Sequence, residues 1–481
     1  MLGTILLLFS IALLSYLWRS RRPTNYPPGP TPLPIVGNTF QMPKAPKHLY
    51  QAVEEWSKVY GEIIGLTVGN LRVVLVTGAD NVLAALRKEE FQDRPDTFSI
   101  RERSFGELFG IFFSSGEQWM SSRKFTVKQM RAYGKNEKED LIQDEISQLM
   151  ETFKDGSVIQ GTGIFGVASV NVIWTMLANK RIDFNDVESR KFLGSLNAMM
   201  RRGTPAGGSL VDISPIFKYI DTSFKLNTAT FREVQKYVQQ TIKEHEEILD
   251  PNNPMDLIDH YLIEMKKNTS KLFTEKDLIM IALDLFVAGA ESVSNSVEFV
   301  LLYMILYPEI QEKMQAEIDH VLARARKPKL DDKLSMHYLM AVLTEVERIN
   351  SVVPTNVPHT CTKDTTFGGY FIPKGTMVSM NLRSLGYDTK YWSNPEEFDP
   401  RRHLNKEGVF VKPSVLATFG GGPRVCVGEI IARNIMFLFT ATFFEKYTVS
   451  LPPGEKEPST LSMPGFTSAP QPFKVKIQSR Y

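Results

Sequence analysis

The sequence predicts a mainly α protein with a minor β part. Most segments between residues 80 and 324 have the apolar spacing of helices, and the longest of these runs from residue 274 to 306. Short apolar runs at residues 62–67 and 73–77 have the length and composition of strands. Beyond Arg348 the helical periodicity gives way to an irregular chain rich in proline, glycine and aromatic residues. The helices therefore predominate over a minor β part.

The N-terminus predicts a membrane anchor over residues 1–18. This segment carries no charged side chain and is followed at once by Arg19, Arg21 and Arg22. Its length is close to the roughly 17-residue minimum for a spanning helix, and suffices in a thin bilayer. A cleaved signal peptide would carry its positive charges before the apolar run. The positive-inside rule then places the body in the cytosol. Because the endoplasmic reticulum has a thin bilayer, we expect a single-pass protein of that membrane.

A basic and proline-rich hinge is predicted over residues 19–40, and the catalytic domain over residues 41–481. Six prolines between residues 23 and 34 stiffen this segment and exclude helix. It is either a plain linker or a rigid hinge that orients the body against the membrane.

Composition excludes several classes of protein. The 481 residues are 43% hydrophobic and 23% charged, as in a globular protein with a large core. The net charge of +2 is too small to indicate a nucleic-acid binder. Two cysteines cannot form a disulfide framework and indicate a reducing compartment.

Further elements follow in order along the chain. Thr274 begins the long helix with a capping-box-like sequence, and a glycine near its middle, Gly289, indicates close approach of a ligand or a second helix. A helix is predicted over residues 335–350 and another over residues 429–444. The strand-like segments 369–372 and 377–380 flank a Pro-Lys-Gly turn.

The most informative feature is Cys426, in a glycine-rich loop just before the helix at residue 429. Helix N-terminal amides and the nearby Arg424 would lower the pKa of its thiol, which makes it a candidate nucleophile or metal ligand. A nucleophile needs a histidine base, and zinc needs several Cys or His ligands at metal spacing. A buried structural cysteine in a glycine turn is the remaining alternative.

The full pattern around Cys426 resembles the haem-binding signature of the cytochrome P-450 family. Every specified position of Phe-x-x-Gly-x-Arg-x-Cys-x-Gly is filled here, by Phe419, Gly422, Arg424, Cys426 and Gly428. The resemblance implies the P-450 fold, a helical domain with a small β-rich domain, and haem b with Cys426 as the axial ligand of iron. We also expect Phe419 and Gly289 to contact the cofactor.

The same resemblance assigns partners to the two haem carboxylates. Trp119 and Arg123 have the family's Trp-x-x-x-Arg spacing, and helical spacing of four turns both side chains the same way. Arg424 and His359 match further contacts to the propionates. Without the resemblance, Trp119 would be a core anchor and Arg123 a solvated cation.

A structural network and a catalytic pair are also expected from the resemblance. Glu345, Arg348 and Arg402 match the family's buried network that supports the haem loop. Glu291 and Ser292 match its oxygen-activation motif, where an acid and a hydroxyl relay protons. Ser292 replaces the usual threonine, which retains the hydroxyl and loses the methyl.

Electrons must come from a partner, because the chain has no dinucleotide-binding glycine fingerprint. The resemblance implies NADPH–cytochrome P-450 reductase, with cytochrome b5 as a second donor. Basic residues along one predicted helix would attract an acidic flavoprotein; they are Arg123, Lys124, Lys128, Arg131 and Lys135.

The predicted activity is hydroxylation or epoxidation of an apolar terpenoid hormone, steroid, fatty acid or xenobiotic with O2. The sequence looks like the arthropod microsomal branch. Candidate pocket residues are Phe112, Phe286, Val352, Val353 and Phe466. The alternatives are a reductase-independent haem-thiolate isomerase or dehydratase, and a non-catalytic haem sensor.

Overall fold

The chain forms a large helical region beside a small β region, which confirms the predicted fold class. A computed structural model describes residues 22–43, 47–132, 135–183, 186–202, 210–267 and 270–481. The predicted anchor, residues 1–18, and the start of the hinge lie outside these ranges. Across the described ranges, no helix is both long enough and apolar enough to cross a membrane.

The helices of the described residues are, in chain order, α1 (Leu49–Tyr60), α2 (Ala79–Arg87), α3 (Phe98–Arg103), α4 (Gly116–Ala132), α5 (Lys135–Glu151), α6 (Gly166–Ala178), α7 (Val187–Arg202), α8 (Leu210–Ile213), α9 (Thr222–Ile248), α10 (Leu257–Lys267), α11 (Glu275–Leu306), α12 (Pro308–Leu322), α13 (His337–Ile349), α14 (Ser384–Tyr387) and α15 (Glu429–Lys446). The strands are β1 (Ile63–Val68), β2 (Leu71–Val76), β3 (Val158–Gln160), β4 (His359–Thr360), β5 (Thr365–Phe367), β6 (Tyr370–Ile372), β7 (Met377–Met380), β8 (Tyr447–Ser450) and β9 (Lys474–Ser479).

Helix α11 forms the centre of the helical region. Thr274 caps it by accepting a hydrogen bond from the Asp277 amide at 3.1 Å, and Pro308 follows its last residue by two positions. The predicted helix over residues 274–306 is thus confirmed almost to the residue. Because α6, α9, α13 and α15 pack around it, α11 is apolar on nearly every side.

The main sheet has the strand order β1-β2-β7-β4. A tight turn at Gly69 (φ +58°) joins β1 to β2 as an antiparallel pair. Strand β7 then lies parallel to β2, and β4 antiparallel to β7. The four segments predicted as strands form β1, β2 and β7 of this sheet and β6 of another, and their ends shift by at most two residues. Two smaller sheets, β3-β9-β8 and β5-β6, complete the β region.

The described part of the predicted hinge packs onto the body. The Tyr26 hydroxyl donates to the Val73 carbonyl oxygen at 3.1 Å, and the Gly65 amide donates to the Pro28 carbonyl oxygen at 2.8 Å. Arg22 Nη2 donates to the Pro30 carbonyl oxygen at 2.7 Å. The proline segment is therefore fixed against β1 and β2 from about Tyr26 onward, well before residue 40.

Candidate active site

The loop before α15 is shaped by glycine. Gly420 and Gly422 have φ of +79° and +65°, and a Cβ at Gly422 would lie 2.5 Å from the Leu86 carbonyl oxygen. Side-chain-bearing residues rarely adopt this backbone, and none fits so close to α2. The Cys426 amide closes the loop by donating to the Phe419 carbonyl oxygen at 3.0 Å. Cys426 is thereby held three residues before the start of α15 at Glu429.

The thiol of Cys426 lines a cavity and is solvent-accessible there, although protein atoms surround it closely. Burial raises its pKa; the amides of Gly428 and Glu429 and the charge of Arg123 oppose this rise without overcoming it. The expectation of a lowered thiol pKa is therefore wrong for the protein alone, because desolvation outweighs the helix terminus. Bound iron would supply the missing positive charge, since a coordinating thiol is deprotonated by its metal.

The cavity has a volume of about 310 Å³ and lies between α11 and the Cys426 loop. Its α11 side is formed by Ala288, Ser292 and Val293, and the opposite side by Phe419 and Cys426. Further apolar lining residues come from other segments and include Ile111, Phe112, Met199, Val352, Val353 and Phe466. One chamber thus joins the thiol, the hydroxyl of Ser292 and an apolar wall.

Cationic groups crowd the cavity beside the thiol. The Arg424 guanidinium lies 3.7 Å from the Trp119 ring centroid, and Arg123 Nη2 donates to the Val425 carbonyl oxygen. Within this cluster, two buried donors have no hydrogen-bond partner among the described residues, Trp119 Nε1 and Arg424 Nη1. Burial and the neighbouring Arg123 lower the pKa of Arg424, although Asp93 opposes them. This part of the cavity therefore carries more positive than negative charge.

Arg94 belongs to the same cluster, and sequence reasoning missed it. Its guanidinium donates to the carbonyl oxygens of Val357 and Pro358 at 2.8 and 3.0 Å and lines the cavity. Burial and the charges of Arg424 and Arg123 lower the pKa of Arg94 well below the usual value.

His359 follows Pro358, is 2% exposed and shares a hydrogen bond with the Phe91 carbonyl oxygen through Nδ1. Burial, Arg94 and Arg424 lower the pKa of His359 well below its usual value, so its imidazole is neutral at pH 7.

These residues fit haem. A dianionic cofactor would pair with the clustered arginines and satisfy the unpartnered donors of Trp119 and Arg424. Its iron would meet the thiol of Cys426. The predicted cofactor residues Trp119, Arg123, Arg424, His359, Phe419 and Cys426 are thus brought together by the fold.

Gly289 was predicted to contact the cofactor, but it does not line the cavity. A Cβ at this position would lie 2.7 Å from Ile173 Cγ1 of α6. The mid-helix glycine therefore permits close packing of α11 on α6, and the cavity is lined instead by its neighbour Ala288. Of the two explanations for this glycine, contact with a second helix is the one the structure supports.

Glu291 is buried beside the cavity and held by two other segments. Its Oε1 pairs with Arg201 Nη2 at 2.8 Å, and its Oε2 accepts a hydrogen bond from the Thr467 hydroxyl. Arg201 Nη2 also donates to Thr467 Oγ1 at 2.8 Å. Thr467 itself lines the cavity, so it connects the acid to the chamber. No pattern of neighbouring residues in the sequence predicted that Arg201 and Thr467 would contact Glu291.

Ser292 lines the cavity directly. Its hydroxyl donates to the Ala288 carbonyl oxygen at 2.8 Å, one turn earlier on α11. This local bond leaves the oxygen lone pairs as acceptors toward the chamber. The acid and the hydroxyl of the predicted pair therefore point in different directions from adjacent positions.

The predicted network of Glu345, Arg348 and Arg402 is present. Arg348 Nε and Nη2 each donate to the Glu345 carboxylate at 2.8 Å, and Arg402 Nε donates to it at 3.0 Å. His403, which was not predicted, adds a fourth side-chain contact at 2.8 Å. Arg348 also donates to the carbonyl oxygens of Gly386, Pro395 and Glu397 and so ties α13 to the chain before the cysteine loop.

The predicted basic helix is shorter than expected. Lys124, Lys128 and Arg131 form an exposed stripe on α4, which ends at Ala132. Arg123 turns inward to Val425, and Lys135 begins the separate helix α5. The exposed stripe therefore contains three of the five predicted cations.

One predicted pocket residue belongs to the core. Phe286 is 1% exposed and packs edge-on against Trp174 at 5.1 Å between ring centroids. Because α11 is apolar on nearly every side, its periodicity could not identify the cavity face. Phe112, Val352, Val353 and Phe466 line the cavity as predicted.

Similarity to known proteins agrees with this geometry. The family described as Cytochrome P450 matches residues 27–477. A farnesoate epoxidase of Bombyx mori is 34% identical over 494 aligned positions, which cover 100% of this chain and 99% of the relative. Cytochrome P450 2C11 of Rattus norvegicus is 36% identical, with 98% of this chain and 95% of the relative covered. Cytochrome P450 2J3 of the same species is 36% identical, with coverages of 91% and 88%. A cysteine loop facing a cationic cavity, in a chain that matches the family from hinge to last strand, identifies this protein as a member of the cytochrome P450 family.

Proposed function

We propose that Cys426 holds haem iron and that the chain inserts one atom of O2 into an apolar small molecule bound against α11. The enzyme is a haem-thiolate monooxygenase by family. The observation that carries the assignment of residues is the convergence of the Cys426 thiol, unpartnered cationic donors and an apolar wall on one cavity. When bound, haem supplies the activation of O2, which protein side chains cannot perform alone.

Each side chain then has a task that its contacts support. Trp119, Arg123, Arg424 and His359 would hold the cofactor, and Arg94 would neutralise it further. Glu345, Arg348 and Arg402 would fix the segment that precedes the cysteine loop.

Proton delivery is proposed to use Glu291, Thr467 and Ser292. Glu291 holds a carboxylate oxygen against the Thr467 hydroxyl, and Thr467 faces the chamber. Ser292 presents its hydroxyl oxygen to the same chamber. The Thr467 hydroxyl can give its proton toward the chamber and take a replacement from Glu291 once that carboxylate has been protonated from solvent, while Ser292 orients water near the reacting oxygen.

We propose that a reductase supplies the electrons and that the chain associates with the endoplasmic reticulum membrane. We propose NADPH–cytochrome P-450 reductase as the donor, with cytochrome b5 as a second donor and the α4 stripe as the surface they meet. Residues 1–18 are proposed as a single-pass anchor, with residues 19–40 as the hinge and residues 41–481 as the cytosolic catalytic domain. Since a relative is named for acting on farnesoate, terpenoids are the first substrates to test.

A carbon monoxide difference spectrum tests the ligand assignment. The dithionite-reduced wild-type protein should give the Soret band of a thiolate–iron–CO complex, and Cys426→Ala should abolish it. Cys361→Ala is the matched control because Cys361 is buried directly after β4, where its thiol donates to the Lys363 carbonyl oxygen. Survival of the band in Cys426→Ala would refute the assignment.

NADPH consumption tests the reaction. With reductase and substrate, wild type should consume NADPH and form oxygenated product, which an isomerase or a haem sensor would not do. Glu291→Gln and Ser292→Ala should each slow turnover or divert electrons to peroxide. Unchanged turnover and coupling in both variants would exclude the proposed proton route.

A further inference from the structure

Arg103 is a buried cation on the substrate side of the cavity. It ends α3 and lines the chamber that Ser292 and Cys426 also line. Its side chain is only 8% exposed. A buried charge is costly unless it is paired and fully hydrogen-bonded. The contacts of its guanidinium therefore indicate what the site is built to hold.

Asp284 of α11 compensates part of this charge. Arg103 Nη2 donates to Asp284 Oδ1, while Oδ2 accepts from the amides of Ile111 and Phe112 at 2.8 and 2.9 Å. A Cβ at Gly110, where φ is +82°, would lie 2.4 Å from Oδ2. The loop is thus shaped around the carboxylate, which has three donors and fixes the guanidinium in place.

The other end of the guanidinium is not satisfied. Among the described residues, Nη1 of Arg103 is buried and has no hydrogen-bond partner. The rings of Phe113 and Phe231 lie against the guanidinium, with centroids 5.3 and 5.1 Å from its carbon, and both residues line the cavity. A buried donor left without an acceptor is expensive. Aromatic rings cover it without supplying an in-plane oxygen.

We propose that the substrate is an elongated apolar molecule ending in a carboxyl group, free or esterified, whose oxygen accepts a hydrogen bond from Arg103 Nη1. The ring of Phe113 or Phe231 turns aside to admit it. The apolar body lies along Ile111, Val293 and Phe466 toward the reacting end near Ser292. The inference rests on the proposed function for that reacting end and adds the chemistry of the opposite end.

The shared chemistry of acid and ester is the carbonyl oxygen. Asp284 and Arg103 together are close to neutral, so the free donor suits an ester oxygen. The two amides on Asp284 also draw on its charge, which leaves Arg103 able to pair with a carboxylate. Whether acid or ester binds more tightly is decided by measurement.

Substrate-induced changes in the Soret band of full-length holoprotein measure the dissociation constants. Two series of ligands are compared: lauric acid, methyl laurate and dodecane, and farnesoic acid, methyl farnesoate and farnesene. In at least one series, the acid or the ester should bind about tenfold or more tightly than the hydrocarbon, as expected of one hydrogen bond to a charged group. Arg103→Met should reduce this preference to less than about threefold.

Two variants serve as controls. Arg101→Met, on the same helix, removes an exposed arginine that pairs with Asp96 and should keep the full preference. Arg103→Lys retains the charge and should restore part of the preference. The carbon monoxide spectrum of each variant reports intact thiolate ligation, so loss of the preference with an intact band separates this inference from the proposed function.

Several results would overturn the inference. The hydrocarbons could bind as tightly as the acids and esters in both series, or none of the ligands could bind while the carbon monoxide band is intact. Equal weakening of every ligand by Arg103→Met would show that Arg103 only packs α3 against α11.

Discussion

Replacing Glu345 by glutamine should destabilise the protein by about 3–5 kcal/mol at pH 7. Glu345 is fully buried and accepts hydrogen bonds from Arg348, Arg402, His403 and the Asp399 amide. Glutamine has one carbonyl oxygen for these donors, and its amide would face one of them. Breaking a buried ion pair on one side costs about 3–5 kcal/mol because the other charge is left without compensation.

The pKa of Glu345 gives a second route to this magnitude. Burial alone would raise it, but hydrogen bonds from Arg348 and His403 overcome burial and lower it from 4.5 to about 2. At 1.36 kcal/mol per pH unit this is about 3 kcal/mol. Because the pKa is lowered on folding, this stability is present above about pH 4.5 and is lost as the pH falls toward 2.

Urea unfolding of full-length holoprotein in detergent, followed by near-ultraviolet circular dichroism, measures the loss. The gap between wild type and Glu345→Gln should narrow as the pH is lowered from 5 to 4. Glu407→Gln, at an exposed position, should stay within about 0.5 kcal/mol of wild type. If Glu345→Gln does not accumulate, Arg402→Gln should cost about 1.5–3 kcal/mol for one charged hydrogen bond. A loss below 1 kcal/mol in both variants would refute the reasoning.

Three further changes test other parts of the structure. Burial raises the pKa of Glu298 to about 8. The Ser294 hydroxyl and the Gly163 amide both donate to its Oε1, and a glutamine oxygen can accept both bonds. Glu298→Gln should therefore be at least as stable as wild type at pH 7. Wild-type stability should fall as the pH rises from about 4.5 to 8, and the variant should lose this slope in urea titrations; an unchanged slope would contradict the assignment. Trp119→Phe removes an unpartnered donor and should speed haem transfer to apomyoglobin about tenfold, with unchanged circular dichroism; an unchanged rate would exclude Trp119 as a cofactor contact. Gly289→Ala should cost about 1–3 kcal/mol through contact with Ile173, and Ile173→Ala in the same chain should recover part of it in thermal unfolding; no recovery would place the strain elsewhere.

Local patterns predicted the elements and the centre of the site because their signals lie close together in sequence. The cysteine loop, the Trp119 and Arg123 spacing, and the cap at Thr274 each need only a few neighbouring residues. The strands β1, β2, β6 and β7 were identified by short apolar runs of the same kind.

Contacts between distant segments could not be predicted this way. Arg94 takes its place from carbonyl oxygens 263 and 264 positions away. Thr467 meets Glu291 across 176 positions. The thiol pKa of Cys426 was misjudged for the same reason, since the surrounding fold buries it more strongly than its own helix terminus can compensate.

The partners of Glu291 have a consequence for how such an enzyme changes over evolutionary time. Arg201 lies in the last turn of α7, next to the cavity-lining Met199 and Met200, and Thr467 follows the cavity-lining Phe466. Substitutions that reshape the chamber for a new molecule in either segment also disturb the bonds that hold the acid. Substrate range and the fraction of electrons that end in oxygenated product are therefore inherited together. A lineage that alters the substrate range must also restore the contacts of Glu291.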